Sequence, residues 1–511
     1  MKIAIIDGYV DEPACFGVPP YISPYIRYIA GALVERGIGR DNISYFTIDG
    51  IRNSKKEDLA LLGRADLVVI LSGMTVPGKY LRSSPITLKE IEYLCRTAAG
   101  VKVIGGPIRL GYSSEGGMAA STLEMADENV FVARQDIEAF VHDIIAPGPC
   151  IGDPDNVEHR MRTVGEIGRW ADKGAFIIRQ HPDFPNIMCE METYRGCGRD
   201  THCSFCTEFF YGPSTYRSVE DVVAEAASLY KEGALYFRLG RQPDLFTYHA
   251  VDLGDSLPRP NPQALESLYS GIRKVAPGLE VLHMDNANPA TIATYPDECS
   301  KIMKTILKYH TPGDVAAMGM ESADPAVIRA NNLKAMPDDV FEAVKLMNEI
   351  GSIRGENGLS HLLPGLNFVH GLAGETKKTF GLNYDFLKNI LDDGLLLRRI
   401  NIRQVMPFSG TPAAEQQLPL AKNRKNFLKY KEKVRKDIDL PMLRKVVPRD
   451  TILRDVLCEV WGEGSVGTFG RQMGSYPILV GISEKLPLGE FVDVRVTGHG
   501  FRSISATVIR E

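Results

Sequence analysis

One short stretch constrains this chain more than any other. From Cys189 to Tyr211 the sequence reads CEMETYRGCGRDTHCSFCTEFFY, in which Cys197, Cys203 and Cys206 follow the spacing Cys-x5-Cys-x2-Cys, with Phe205 just before the last. Thiols gathered this tightly in one loop point to a metal or cluster site rather than to a disulfide pair. A 4Fe–4S cluster usually takes four cysteines, so three would leave one iron open for a small molecule to chelate. Two other readings stay open. Cys189 could supply a fourth ligand to a closed zinc or cluster site, although it falls inside an apparent strand. The three could also be ordinary buried thiols.

The remaining composition sets bounds. At 511 residues the chain exceeds a single core, and two to four domains is the natural expectation. Hydrophobic residues at 44% and charged residues at 24% are ordinary globular values. A net charge of −5 argues against wholesale electrostatic binding of nucleic acid, though not against a local basic face. The start, MKIAIIDGYVDE, has no basic segment before an apolar one, and no apolar run is long enough to span a bilayer. With nine unevenly spread cysteines, the expectation is a cytoplasmic protein in a reducing interior that makes no use of a membrane.

Residues 1–150 read as a doubly wound α/β sheet. Short apolar runs at Lys2–Asp7, Tyr45–Ile48, Asp66–Leu71 and Val101–Ile104 alternate with helical stretches such as Tyr25–Arg36. Such sheets bind ligands beyond the carboxyl ends of their strands. The loops there are SGMTVPG, with Ser72 and Thr75, and GGPIRLG, opening with Gly105, Gly106 and Pro107. Glycines let backbone amides approach a ligand, and the two hydroxyls add donors. A generic flavodoxin-like domain without a cofactor is the alternative. Cys95 sits in a helical stretch, ITLKEIEYLC, and reads as a buried thiol. Residues 151–187 read as a linker lying on the next domain.

Residues 188–412 repeat a strand–helix unit, with strands expected at Glu190–Thr193, Ala234–Leu239, Val281–Met284, Val315–Met320, Leu366–His370 and Arg399–Val405. Polar residues cluster at the carboxyl ends, where parallel barrels keep their chemistry. They include Arg241, Glu321, His370 and Glu375. Residues 413–460 form a basic helical linker (AKNRKNFLKYKEKVRK), expected to be a solvated face. From 461 to 511 short alternating runs with glycine turns predict a small β-barrel.

The cysteine loop with Phe205 resembles the signature of the radical S-adenosylmethionine superfamily, whose usual spacing is Cys-x3-Cys-x2-Cys. Here the first gap is two residues longer, as in a minority of that superfamily. GMES (Gly319–Ser322), HGLAGET (His370–Thr376) and FSGTP (Phe408–Pro412) resemble its strand ends, with Ala373 where proline is usual. The S-x-x-T and GGP loops resemble those of the cobalamin-binding domain that precedes many such barrels. No Asp-x-His-x-x-Gly motif is present, so no histidine from this domain reaches cobalt. The tail segments GRQMGSYPILVG and HGFRSISA resemble a TRAM domain, and the whole chain resembles an archaeal family that joins the three domains in this order.

The resemblance implies a cobalamin-binding domain, a partial (β/α)6 barrel and a TRAM-like barrel. It implies a 4Fe–4S cluster on Cys197, Cys203 and Cys206, and cobalamin held by Ser72, Thr75, Gly105, Gly106 and Pro107. S-adenosylmethionine would lie near Phe205, Arg241, Glu321, Gly374 and Glu375, with Glu321 the first choice for its ribose or amine and Arg241 for its carboxylate. The implied activity is C-methylation of an unactivated sp3 carbon. One branch of the family acts on a glutamine of methyl-coenzyme M reductase, which makes that protein the implied substrate and ferredoxin or flavodoxin the implied reductant. The alternative is a tRNA-modifying enzyme like the methylthiotransferases, with RNA held by the tail; a cofactor-bearing assembly protein is a third reading.

Overall fold

The computed structural model describes residues 1–10, 19–53, 60–73, 81–113, 116–125, 127–148, 150–199, 201–251, 257–464 and 466–510. Thr75 and Cys15 lie outside the described residues. The apolar run IAIID becomes β1 (Ile3–Asp7), and the next strands are β2 (Tyr21–Ile22), β3 (Ile43–Thr47), β4 (Leu67–Leu71), β5 (Val101–Gly105) and β6 (Val130–Val132). Five of these form one parallel sheet in the order β3-β1-β4-β5-β6. β1 and β4 are buried along their whole length, which explains why both read as unbroken apolar runs and not as alternating ones. The strand order reverses beside β1, so the carboxyl ends of β1, β4 and β5 open onto one crevice.

β2 does not join that sheet. After a two-residue hairpin, β7 (Ile145–Ala146) with β8 (Cys150–Ile151), the chain enters β9 (Met188–Glu192), and β2 pairs with it in parallel, Tyr21 opposite Met188 and Ile22 opposite Cys189. A second short hairpin, β10 (Tyr194–Arg195) with β11 (Thr215–Tyr216), ties the base of the cysteine loop. β12 (Tyr236–Gly240) and β13 (Val281–Met284) complete a parallel sheet in the order β13-β12-β9-β2. One residue later β14 (Asn286–Ala287) starts another parallel sheet with β15 (Asp314–Glu321), β16 (Leu362–His370) and β17 (Arg399–Gln404). All six strands expected between 188 and 412 are present, and each is preceded or followed by an amphipathic helix. Val219–Lys231 is typical: Ser218 caps it through the Asp221 amide, and Val222, Ala226 and Leu229 face the core.

The segment read as a linker builds a helix, Val164–Gly174, against helix Pro24–Glu35. Gly31 and Gly174 allow the contact, since a β-carbon on Gly31 would lie 1.9 Å from the Trp170 carbonyl oxygen. The small barrel expected at the carboxyl end is borne out as a closed five-stranded barrel: β18 (Ile452–Trp461), β19 (Thr468–Gln472), β20 (Leu479–Ile482), β21 (Phe491–His499) and β22 (Ser503–Val508). It starts at Ile452, nine residues before the expected boundary of 461. The reason is that ILRDVLCEVW breaks period-two alternation at a bulge, with Arg454 and Asp455 both exposed. Among the described residues no helix is long and apolar enough to cross a membrane.

Candidate functional site

The cysteine loop leaves the carboxyl end of β9 and is pinned at several points. Gly196 donates to Glu208 (2.8 Å), Ser204 binds Asn331 through its amide (2.9 Å) and its hydroxyl (2.7 Å), and Arg199 reaches both the Asn332 carbonyl (3.1 Å) and Cys203 Sγ (3.4 Å). Cys203 is buried and Cys197 and Cys206 are half-buried. Burial raises the thiol pKa of Cys203 and Cys206. Lys334 stands within electrostatic reach of all three sulfurs; burial opposes its charge, but Cys203, Glu321, Cys206 and Cys197 together hold its pKa above the ordinary value. The donor set, three sulfurs on one pinned loop beside a cation, has the chemistry of an iron–sulfur site. Among the described residues no three His, Cys, Asp or Glu side chains gather at metal-holding distance. Cys189 lies in β9, fully buried in the core, and is separate from the loop thiols.

Phe205, Cys206 and Glu321 come together on the wall of a cavity of about 350 Å³. Glu321 ends β15 in the left-handed region, φ 58°, a conformation that costs a residue with a side chain free energy and tends to persist where a site requires it. Its Oε2 is buried without a hydrogen-bond partner among the described residues, and burial lifts its pKa to about 7 against the pull of Lys334 and Arg403. The cavity continues down the inner face of β16 and β17 past Asn367, Val369, Arg399, Asn401 and Arg403. Its floor is Tyr476, from the β19–β20 connection of the small barrel. Tyr476 donates to Asp285 (2.6 Å), Ser475 donates its hydroxyl to the Met284 carbonyl (3.1 Å), and Arg398 donates to the Tyr476 carbonyl (2.5 Å). No sequence signal near SYPILVG announced this plug. The basic stretch in 413–460, expected to be a solvated face, is likewise corrected in part: Lys422, Arg424 and Lys425 are exposed, but Phe427 and Lys431 line the cavity.

Other expected residues are placed elsewhere. Glu375 accepts from His370 Nδ1 (2.9 Å), the Gly371 amide (2.9 Å) and Asn423 (2.9 Å), so both its oxygens hold its own turn against the tail helix. Gly374, at φ 81°, shapes that turn. Neither lines the cavity. Arg241, also left-handed at φ 63°, lies outside it too, 3.9 Å from Glu192 and over the rings of Tyr25 (5.3 Å) and Tyr211 (5.8 Å).

In the first domain Ser72 and the GGP loop are neighbours. The Ser72 amide donates to Gly105 (2.9 Å) and its carbonyl accepts from Ile108 (3.1 Å). Gly106 has φ 94°, and a β-carbon there would meet Leu71 and the Ser72 carbonyl at 2.7 and 2.8 Å, so only glycine fits. This edge faces the barrel sheets. Arg109 of the GGP loop stands over Tyr211 (5.3 Å), at the end of the cysteine loop, with Arg195 over the same ring at 5.4 Å. Gly116 lines the cavity, and Ala120 donates to the Pro407 carbonyl just after β17 (2.8 Å). The first domain thus meets the barrel sheets at the end of the cysteine loop and just after β17.

No family model matches the chain. An uncharacterized protein of Methanocaldococcus jannaschii is 45% identical over 523 residues, covering 100% of this chain and 94% of its own. The chain belongs to the family of this archaeal protein. A second family member, an uncharacterized protein of Archaeoglobus fulgidus, is 44% identical over 514 residues, covering 99% of this chain and 90% of that protein. Outside the family, the ribosomal protein uS12 methylthiotransferase RimO of Elusimicrobium minutum is 24% identical over 310 residues, covering 59% of this chain and 63% of its own. Among solved structures, the radical S-adenosylmethionine methyltransferase TsrM of Kitasatospora setae, with tryptophan and an S-adenosylmethionine analogue bound, superposes with a TM-score of 0.50 at 14% identity, covering 80% of this chain and 74% of its own. The chain thus shares the fold of that enzyme.

Proposed function

We propose that the protein is a cobalamin-dependent radical S-adenosylmethionine enzyme that methylates an unactivated sp3 carbon. The observation that carries this reading is the contact of the GGP loop with the end of the cysteine loop, where Arg109 stands over the Tyr211 ring at 5.3 Å. It is supported by TsrM, whose structures hold cobalamin and a [4Fe-4S] cluster. We read the two parallel sheets as one open (β/α)6 barrel interrupted at Asp285, and the small barrel as TRAM-like.

Cys197, Cys203 and Cys206 would hold the cluster, and Ser72, Gly105, Gly106 and Pro107 the cobalamin tail, with Thr75 on the same loop. When bound, these groups and S-adenosylmethionine supply hydrogen abstraction and a methyl donor for a carbon that offers no acidic proton. The chain's own residues orient and exclude water. Glu321, buried in a strained conformation at the cavity wall, offers a carboxyl oxygen with no other partner among the described residues to the ribose or amine of S-adenosylmethionine. Phe205 and Phe368 give that wall its apolar surface, and Tyr476 closes the floor to solvent. Arg241, over the Tyr211 ring at the end of the cysteine loop, would take the methionine carboxylate.

A glutamine of methyl-coenzyme M reductase is the substrate that family resemblance suggests, with ferredoxin or flavodoxin as reductant and a cytoplasmic location. The test is anaerobic incubation of the reconstituted enzyme with S-adenosylmethionine, cobalamin, a reductant and the candidate peptide, read by mass spectrometry. A methyl group on carbon supports the reading; a changed tRNA nucleoside with no methylated peptide would favour the methylthiotransferase-like alternative.

A further inference from the structure

The last two parallel strands carry a pair of carboxamides on the face that lines the cavity. β17 alternates: Ile400 and Ile402 pack into the core, while Arg399, Asn401 and Arg403 are half-buried on the cavity wall. Asn401 lies opposite Asn367 of β16 in the parallel register, and Asn367 lines the same cavity. One layer below, Gly365 stands opposite Arg399, and one layer above, Val369 stands opposite Arg403, each about 7 Å away along the strand. Asparagine is disfavoured in strand interiors, where packing rewards branched and aromatic side chains. Asn401 Nδ2 donates to Asn367 Oδ1 at 3.2 Å, and neither carboxamide makes another hydrogen bond among the described residues. That pairing leaves both hydrogens of Asn367 Nδ2 and both lone pairs of Asn401 Oδ1 to be matched. Turning both carboxamides over exchanges the two roles and leaves the same set.

We propose that Asn367 and Asn401 are specificity-determining residues that recognise a neutral amide group of the substrate. An amide matches what the pair leaves over: its carbonyl accepts from Asn367 Nδ2 while its N–H donates to Asn401 Oδ1. A ketone or ester of the same shape supplies the acceptor alone and leaves Asn401 Oδ1 unpaired, and a hydrocarbon satisfies neither group. Both carboxamides are neutral, so the match depends on donors and acceptors and not on the charge of the wall. The position along the strands suits the role. Glu321 of β15 lies opposite Phe368, the residue after Asn367, so the pair stands one residue's rise from the level at which Glu321 would hold the cosubstrate. The cavity, about 350 Å³, has room for one side chain or one small molecule beside the pair. Amide binding stands on these two residues and the cavity; that the amide belongs to the substrate rests on the proposed reaction. A side-chain carboxamide and a peptide bond both present this chemistry.

Saturation-transfer NMR titration of the full-length protein with butyramide and with 2-pentanone, in which a methyl group replaces the amide nitrogen, tests this without loaded cofactors. Butyramide is expected to bind saturably and about tenfold or more tighter than 2-pentanone. The double variant Asn367→Leu with Asn401→Leu keeps the volume and removes both carboxamides, and is expected to bring the two ligands within about twofold of each other. Asn401→Ala, which removes only the acceptor for the amide N–H, is read in the same way and keeps the test open if the double variant does not fold. N-Methylbutyramide separates the sources. Binding as tight as that of butyramide points to a peptide bond and weaker binding to a primary carboxamide, and either outcome supports the pair. No saturable butyramide binding, equal affinity for butyramide and 2-pentanone in the unaltered protein, or a preference that survives in the folded variants would overturn the proposal. Variants with a lowered thermal midpoint and an unchanged preference would give the pair a structural role only. Methyl transfer that fails while the amide preference persists would count against the reaction and leave the pair standing.

Discussion

Single residues carry the strain of this site. Glu321 holds a left-handed backbone and a buried carboxyl oxygen with no partner among the described residues, and each of these features costs stability. Glu321→Gly should therefore raise the thermal midpoint, by about 1 kcal/mol or more of stability, while weakening S-adenosylmethionine binding to the cluster-loaded protein. Calorimetry and titration together check the pair of outcomes. Asp7 offers a second test. Burial at the end of β1 raises its pKa to about 7, against hydrogen bonds from the Tyr9 amide and the Tyr45 hydroxyl. The folded state thus holds the proton more tightly than the unfolded chain. The stability this group contributes is whole below about pH 4 and is lost as the pH rises to about 7. Asp7→Asn should flatten that part of the stability profile, measured by denaturant midpoints at stepped pH. At this scale the sequence was readable where spacing carries chemistry. Cys206 and Phe205 reach the cavity wall, whereas Glu375 does not, because motif position says nothing of which oxygen a neighbouring amide will take.

Elements meet through buried ion pairs. Arg162, from the segment read as a linker, contacts Glu138 at the start of a first-domain helix and Glu192 at the end of β9 (2.6 Å), and lies 3.5 Å from Asp136. Its side chain is 1% exposed, so removing it leaves Glu138 buried without this cation, while Asp136 keeps Arg195 at 2.7 Å and Glu192 keeps Arg241 at 3.9 Å. Arg162→Ala should cost about 3–5 kcal/mol, seen as a lowered denaturation midpoint. Strand positions were legible because parallel strands buried on both faces are short apolar runs between glycine turns. Val281–Met284 matches its expected bounds. The two-residue strands β2 and β14 were not, since a pair of residues has no period to read. β18 was missed because its bulge breaks the alternation.

For the whole molecule, the tail barrel is built into the body of the parallel sheets and is not an appendage. The β19–β20 connection places Ser475 and Tyr476 against Met284 and Asp285, where the two parallel sheets meet. Tyr21, on the edge strand contributed by the first 150 residues, donates to the Gly474 carbonyl. All three regions therefore touch at one point. Thermal unfolding should show the small barrel melting with the parallel sheets, and Tyr476→Ala should lower that shared transition. A tail that melts separately would contradict the interlocked arrangement. Such contacts join residues hundreds apart, and no local pattern in the chain encodes them.

The proposed reaction requires three thiols to hold an iron cluster and the glycine-edged sheet to hold a corrinoid beside it. Metal analysis of anaerobically reconstituted protein, offered iron, sulfide, zinc and hydroxocobalamin together and then desalted, tests it most directly. About four irons and about one cobalt per chain are expected, with the iron lost and the cobalt kept in Cys203→Ser. Zinc in place of iron, or about eight irons with no retained cobalt, would contradict it.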